Sequence, residues 1–576
     1  MKVLGLNGVY THDSSAAIVV DGSVVAAVEE ERFTHKKHTS DFPENSVNFC
    51  LEEAEVSEDE IDIIVIPFQV EDRLQRSLEF TANGLVERKR LSICKNMSEE
   101  HQIDGLIRAL EIEQRFLRSA KKFFQFAGRR FPRAALQFYP HHLCHAASTY
   151  LVSGFRGESM IFVADLVGEW DATSVFLGCE EGITKKYSLS YPVSYGKIYN
   201  LFTEFLGFRS HSDEYKVMGL AAYGDDKYRD FFDTIFVGDG SRQEPGEGFA
   251  AFTYHVGLKP GWTSELNTVF GASRSPHDQL EKRHANIAKS LQCWLERQVV
   301  KHVSSTIRDS GINSVCLAGG VCLNAVMNQK IRELEGVESL FVQPASHDAG
   351  TAIGAALQAH RSHEPSTEVQ PLLTYYLGPD CHPEWPAAAS NSVYKKVSDK
   401  PNPNLVAELL FDGKILAVCR GRSEFGPRAL GNRSILAMAS DPFVRDRIND
   451  EIKKREDFRP FAPVILEQFA GDYFVDCECS PHMTMTFTAT EKALNDIPSA
   501  VHVDGTARVQ TVNAAQNAFL FDVLTEFYKI SGVPALLNTS LNIAGDTMAL
   551  TIDDAWGTFV EGNIDAIVID AGIVCR

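Results

Sequence analysis

No run in this 576-residue chain approaches the ~18 consecutive apolar residues that a membrane helix needs, so no membrane partner is expected. The opening residues turn polar at Asn7 after a short apolar stretch and do not read as a signal peptide. The twelve cysteines never take a Cys-x-x-Cys spacing, which argues for reduced thiols and a cytoplasmic setting over a disulfide framework. Cys477 and Cys479, with His482 nearby, are too few for a zinc site. Positive charge is scarce as well. Against 77 Asp+Glu stand 56 Lys+Arg, a net charge of −21, with no Lys/Arg-rich arm. Such a chain is ill suited to nucleic acid or anionic lipid, and any basic pocket for a phosphorylated substrate must be local. What is present is an ordinary globular composition, 44% hydrophobic and 23% charged, over a length that predicts at least two domains.

The first thirty residues carry a clear pattern. Val3–Leu6 reads as a strand that ends in a polar loop with His12 and Asp13; Ala16–Val20 and Val24–Val28 then form a hairpin around Asp21-Gly22. The arrangement returns at strand Met160–Ala164, acidic loop Asp165–Asp171 and strand Thr173–Leu177. This repeat predicts a duplicated fold whose halves face a shared cleft, as in actin-like phosphotransferases. Leu91–Gly128 has helical spacing. Gly319-Gly320 follows the strand-like Ser314–Ala318 and precedes a helix, a turn at which backbone N–H groups can approach a phosphate. Asp348-Ala349-Gly350 leads into another helix at Thr351–Leu357. A linker is expected at Arg361–Pro371, dividing the chain into units 1–362 and 372–576.

Three groups of residues could do chemistry. On a helix, His141 and His145 stand at i and i+4, where their rings can converge on one metal, while His142 points elsewhere. Asp348 and Asp165 are the best carboxylate partners; a helix N-terminus with polar histidines is the alternative. Between Arg420 and Arg459, eight Arg and two Lys face seven Asp+Glu, a local positive excess interleaved with Gly and Pro. With Arg459-Pro460-Phe461, Asp504–Arg508 and Asn538–Asn542, this reads as a polyanion pocket, against the alternative of a solvated arginine face. His12 beside Asp13 could take a proton from a hydroxyl near neutral pH, although an isolated His-Asp pair is more often structural.

At these residues the chain resembles the O-carbamoyltransferases of the NodU/CmcH type, known from nodulation-factor and antibiotic biosynthesis. The matching segments are His12–Ala17, Glu29–Phe33 with Lys36–His38, His141–Ala147, Ser212–Leu220, Gly319–Asn324, Asp348–Thr351, Gly426–Ser434, Arg459–Phe461 and Asn538–Ser540. They run in order along almost the whole chain. The resemblance implies an α/β protein with an actin-like, duplicated N-terminal domain and a YrdC-like C-terminal domain. The second would make carbamoyl adenylate from ATP (with Mg2+) and carbamoyl phosphate; the first would pass the carbamoyl group to an alcohol. It implies Fe2+ on His141, His145 and Asp348, with Asp165 as a fourth candidate; manganese or zinc would also suit these ligands. His12 would be the catalytic base, and Lys37, Gly319, Gly320, Asn324, Arg428, Arg459, Arg508 and Ser540 would bind nucleotide or phosphate.

Two departures stand out. Asp165-Leu166-Val167-Gly168-Glu169 replaces a more glycine-rich loop, and His347 replaces a small residue, either tuning the metal or facing solvent. A hydroxylated secondary metabolite is the expected acceptor, and a homodimer stays open. The alternatives are a tRNA threonylcarbamoyl-type enzyme, against which the charge argues, and an actin-like kinase or ATPase, which would leave the arginines unexplained. Loops Gln69–Ser98 and Gly238–Ser275 are the expected seat of acceptor specificity.

Overall fold

Short, apolar, β-branched runs at the N-terminus assemble first into a five-stranded sheet. A computed structural model describes residues 1–8, 12–77, 99–253, 259–381, 384–386, 389 and 394–576. Strands β1 (Lys2–Asn7), β2 (Ser15–Val20) and β3 (Ser23–Glu29) form an antiparallel meander. The β2–β3 turn is the expected Asp21-Gly22, both left-handed (φ 48° and 82°), the conformation a tight hairpin of this twist requires. Strands β4 (Ile63–Ile66) and β5 (Ala135–Phe138) add in parallel beyond β1, giving the order β3-β2-β1-β4-β5.

The second sheet repeats this plan strand for strand. Strands β6 (Ser159–Ala164), β7 (Asp171–Cys179) and β8 (Gly182–Ser190) form the meander. Strands β9 (Ser314–Ala318) and β10 (Ser339–Val342) add in parallel on the far side of β6. The order β10-β9-β6-β7-β8 is the first sheet over again, so the repeat seen in the sequence is a true duplication and the N-terminal domain is actin-like. Helices His141–Tyr150 and Thr351–His363 share one core with residues of both sheets, among them Val3, Ala17, Ile161 and Val163. The expected helix at 91–128 is present as Glu99–Arg130, while 91–98 lies outside the described residues.

The C-terminal domain is a mixed sheet of eight strands. These are β11 (Lys395–Ser398), β12 (Leu416–Cys419), β13 (Arg433–Ala437), β14 (Ala462–Leu466), β15 (Gln510–Val512), β16 (Ala535–Ser540), β17 (Ala566–Ile569) and β18 (Gly572–Cys575). Their order is β11-β18-β17-β12-β13-β16-β14-β15. Alternation along β12 shows how both faces are buried. Leu416 and Val418 pack with helices Pro403–Phe411 and Ala518–Ser531, and Ala417 and Cys419 pack on the side of helix Ile552–Glu561. This is the YrdC-like α/β domain.

The two domains are tied together. Past the end of helix Thr351–His363, Tyr375 and Leu377 bury in the core of the first domain, and Ala27 N–H donates to the Leu377 carbonyl at 3.1 Å. Thr486 Oγ1 donates to Gln329 Oε1 at 2.6 Å, and Lys216 pairs with Glu456 at 3.2 Å. Among the described residues no helix is long and apolar enough to cross a membrane.

Candidate metal centre and anion pocket

His141 and His145 sit on the first turns of their helix, one above the other, as the i, i+4 spacing requires. Asp165 follows directly on β6. Asp348 opens the helical turn that leads into Thr351–His363. All four are buried and offer donor atoms within 4.8 Å of one another. His141 Nε2 is 3.1 Å from His145 Nε2 and 3.4 Å from carboxylate oxygens of both Asp165 and Asp348. His145 Nε2 is 3.4 Å from Asp165 and 3.6 Å from Asp348. Donors ~2.1 Å from a shared ion stand about 3.0 Å apart at octahedral corners and about 3.4 Å apart at tetrahedral ones, so these separations suit one cation.

The chemistry of the donor set agrees with that geometry. His141 Nδ1 lies 3.0 Å from the Pro67 carbonyl, an acceptor that places the ring proton on Nδ1 and turns the Nε2 lone pair inward. Burial favours a neutral His141, but Asp348 and then Asp165 outweigh it and pull the ring well toward the charged form. Burial likewise opposes charge on Asp165, and the two histidines overturn it, holding the carboxyl well below its ordinary range. Glu169 supports the set from behind. Its carboxylate accepts from the backbone N–H of His141 (2.9 Å) and of Gln69 (2.8 Å), capping the histidine helix. His142 turns away to Ser174 Oγ at 2.8 Å, as expected for a bystander.

His12 and Asp13 lie on the polar loop between β1 and β2. His12 Nδ1 is 2.8 Å from Asp13 Oδ2, and His38 Nδ1 is 2.6 Å from Asp13 Oδ1. Burial opposes charge on His12, yet the bond to Asp13 and the charges of Asp13, Asp348 and Asp165 raise it to about 10. The side chain is still 41% exposed, so solvent weakens this pull. Asp13, His38 and nearby His211 all hold left-handed φ (66°, 56° and 60°), and the His12 and His211 rings lie 5.5 Å apart.

The second site forms at one end of the C-terminal sheet. Strand β16 runs antiparallel to β13 and β14, pairing Ser540 with Ser434 and Asn538 with Ala462. That register brings the loops entering β13, β14 and β15 to the end where β16 finishes. They carry Arg428, then Lys453, Arg455 and Arg459, then Arg508. Among the described residues no ion pair forms at Arg428, Arg455 or Arg508. Burial pushes Arg428 down to about 10; burial with the neighbouring Arg459 pushes Arg455 to about 9. Arg508 is driven well below its ordinary value by burial and by Arg428 and Arg455. Arg508 Nε and Arg455 Nη2 are buried with no hydrogen-bond partner among the described residues. Guanidinium groups stay charged at these values, so the pocket holds unrelieved repulsion that an anion would release.

The other expected site residues divide between the two sites. Arg459 belongs to the pocket, its guanidinium 4.8 Å from the centre of the Tyr215 ring of the N-terminal domain. Lys37, also from that domain, is close enough for Arg459 to lower its pKa after burial does. Ser540 is held by Lys453 Nζ, which donates to its carbonyl at 2.6 Å and its hydroxyl at 3.3 Å. Gly319 (φ 94°) and Gly320 stand beside the metal centre, where a Cβ on Gly320 would lie 3.1 Å from Asp165 Oδ1. Asn324 caps helix Ala325–Arg332 and bonds Gln292 through both side-chain atoms, a structural task the sequence reading did not foresee. His347 does not face solvent: it is largely buried, 3.1 Å from Glu29. Lys453 and Arg455 were counted in the positive excess without being singled out, and Tyr215 sat within the matched segment Ser212–Leu220 without being given a role.

The carbamoyltransferase N-terminus family matches residues 2–357 and the carbamoyltransferase C-terminus family matches residues 407–576. An uncharacterized protein of Synechocystis sp. is 34% identical over 614 residues, covering 100% of this chain and 96% of its own length. Nodulation protein NolNO of Sinorhizobium fredii is 34% identical, with 99% of this chain and 80% of that protein covered. Nodulation protein U of Rhizobium tropici is 27% identical, with 95% and 91% covered. With both halves matched and relatives aligned end to end, the chain belongs to the carbamoyltransferase family.

Proposed function

We propose that the protein is an ATP-dependent O-carbamoyltransferase acting on a hydroxylated small molecule. The observation that carries this reading is the pairing, in one chain, of three buried arginines, Arg428, Arg455 and Arg508, that form no ion pair among the described residues, and a buried two-His, two-Asp centre. Carbamoyl phosphate is hydrolysed to carbamate and phosphate. A carbamate oxygen then attacks the α-phosphorus of ATP, pyrophosphate leaves, and carbamoyl adenylate forms. Arg428, Arg455, Arg459 and Arg508 hold the phosphates and offset the charge that develops there. Lys37 reaches the same pocket from the N-terminal domain, and Lys453 Nζ, which donates to Ser540 and Asn542, orders the end of β16 beside it.

In the second half the acceptor hydroxyl oxygen attacks the carbamoyl carbon, the bond to the adenylate phosphate oxygen breaks, and AMP departs. With Nδ1 of His12 turned to Asp13, Nε2 takes the hydroxyl proton. A divalent ion on His141, His145, Asp348 and Asp165, Fe2+ in this reading, would polarise the carbamoyl carbonyl as a Lewis acid. Gly320 lets the backbone come close to Asp165 at the same site, while the Gly319 N–H is taken by the Ser346 carbonyl at 2.9 Å. The net charge of −21 favours a small acceptor over tRNA, and a cytoplasmic location goes with the reduced cysteines. The test is a panel of hydroxylated natural products incubated with enzyme, Fe2+, Mg-ATP and carbamoyl phosphate. A mass gain of about 43 Da, the mass of added HNCO, supports the reading; modification of tRNA alone refutes it.

A further inference from the structure

The segment Glu29–Phe33 takes no part in the chemistry above, yet it lies where the two domains meet. Glu29 ends β3, and Arg32 follows in the short helical turn Glu31–Thr34; they are only 3% and 5% exposed. Arg32 Nε donates to Glu29 Oε2 at 2.7 Å, while its Nη2 donates to the Gly426 carbonyl at 2.7 Å, 394 residues along the chain. The other oxygen of Glu29 lies 3.1 Å from His347 Nε2. Both ends of this buried chain are next to site residues. His347 precedes the metal-centre residue Asp348, and Gly426 stands two positions before Arg428. The contact is doubled at Gly426 (φ 116°), where a Cβ would lie 3.3 Å from the Pro344 carbonyl.

A buried ion pair is a poor way to gain stability, since well-packed apolar residues often do as well. Arg32 does what an apolar side chain could not. Its planar fork engages Glu29 and the Gly426 carbonyl at once, which fixes the Arg428 loop relative to the segment bearing Asp348. We propose that Arg32 is a positioning residue that seats the Arg428 loop against the metal-bearing domain and keeps activated carbamoyl from water until the acceptor arrives. This rests on the reading of carbamoyl adenylate as the intermediate. A mixed anhydride of carbamate and phosphate is open to hydrolysis, so an ill-seated loop would waste it.

The test needs no acceptor. Wild-type and Arg32→Lys holoenzymes are mixed with Mg-ATP and carbamoyl phosphate alone, and pyrophosphate and AMP are followed through the first turnover. Wild type should release a burst of about one pyrophosphate per chain and then turn over slowly. Arg32→Lys should keep its metal and a burst of about one pyrophosphate per chain, formed more slowly because a displacement of about 1 Å can cost ~100-fold in rate, while AMP release after the burst rises at least ~10-fold. Glu29→Gln, which keeps the side-chain shape, should behave alike and serves if Arg32→Lys does not fold. A merely structural Arg32 predicts burst and later rate falling together, which would overturn the proposal; so would a wild type that turns over without a burst. A wild type that forms no pyrophosphate would instead sink the carbamoyl adenylate reading itself.

Discussion

Gly354 lies flush against the backbone carbonyl of Cys144, so the two helices that bring the metal-centre residues together touch backbone to backbone. One begins three residues after Asp348, and the other carries His141 and His145 on its first turns. Gly354→Ala puts a methyl group where the carbonyl stands, and no side chain is there to swing aside. Overpacking of this kind costs about 1–3 kcal/mol. We expect a lower melting temperature and a metal content well below that of wild type, read by calorimetry and elemental analysis on the same preparation.

Metal binding should also be visible as stability. A ligand that binds the folded state alone adds about 2.7 kcal/mol at 100 times its Kd. Adding Fe2+ anaerobically, or Mn2+ as a redox-stable probe, should raise the melting temperature of metal-free wild type. His141→Ala should melt at the same temperature with or without the ion. An equal rise in the variant would place the metal elsewhere.

Arg508 bears repulsion from Arg428 and Arg455, and its buried Nε has no hydrogen-bond partner among the described residues. A cation whose folded pKa lies below its unfolded value destabilises the fold wherever it is charged. Arg508→Gln should therefore raise the denaturation midpoint in anion-free buffer, an unusual sign for a change at a buried site. The same variant should bind carbamoyl phosphate about 10–100-fold more weakly, the worth of one charge-assisted bond of ~1.5–3 kcal/mol. Calorimetric titration and urea unfolding together check both signs.

The arginine pocket shows what the sequence made legible. Its positive excess and its glycines were plain between Arg420 and Arg459, and the family resemblance singled out Arg428, Arg459 and Arg508. Arg455 and Lys453 were hidden because burial, and not residue type, separates a pocket cation from a solvated one. Tyr215 enters from the other domain, at a distance in sequence that no local pattern spans. His141 and His145 were legible from helical spacing alone, and the strand repeat around His12 and Asp165 foretold the duplicated sheets. His347 was not: its partner Glu29 lies 318 positions away. Asn324 sat within a matched segment but is drawn into capping a helix, a role that local sequence could have indicated.

His12 makes the transfer step sensitive to pH. Its pKa is raised to about 10 from 6.5, chiefly through Asp13 against the effect of burial. The bias toward the charged ring stabilises the fold fully below about pH 6.5 and is lost as pH climbs to about 10. As a base the ring must be neutral, so carbamoyl transfer should rise with pH across that window. Asp13→Asn removes the main source of the shift, and the rising limb should move to lower pH. His12→Asn should abolish transfer, by about 100–10,000-fold, while pyrophosphate formation continues. A pH profile unmoved by Asp13→Asn would separate His12 from the base.

The account stands or falls on which bond of ATP is broken. Purified holoenzyme, Mg-ATP and carbamoyl phosphate can be incubated and the products resolved by phosphorus NMR. Cleavage at the α-phosphorus gives AMP-containing products and pyrophosphate, both dependent on carbamoyl phosphate and both lost in Arg428→Ala with the metal retained. ADP and orthophosphate, formed whether or not carbamoyl phosphate is present, would instead make the protein an actin-like kinase or ATPase and contradict the carbamoyl adenylate mechanism.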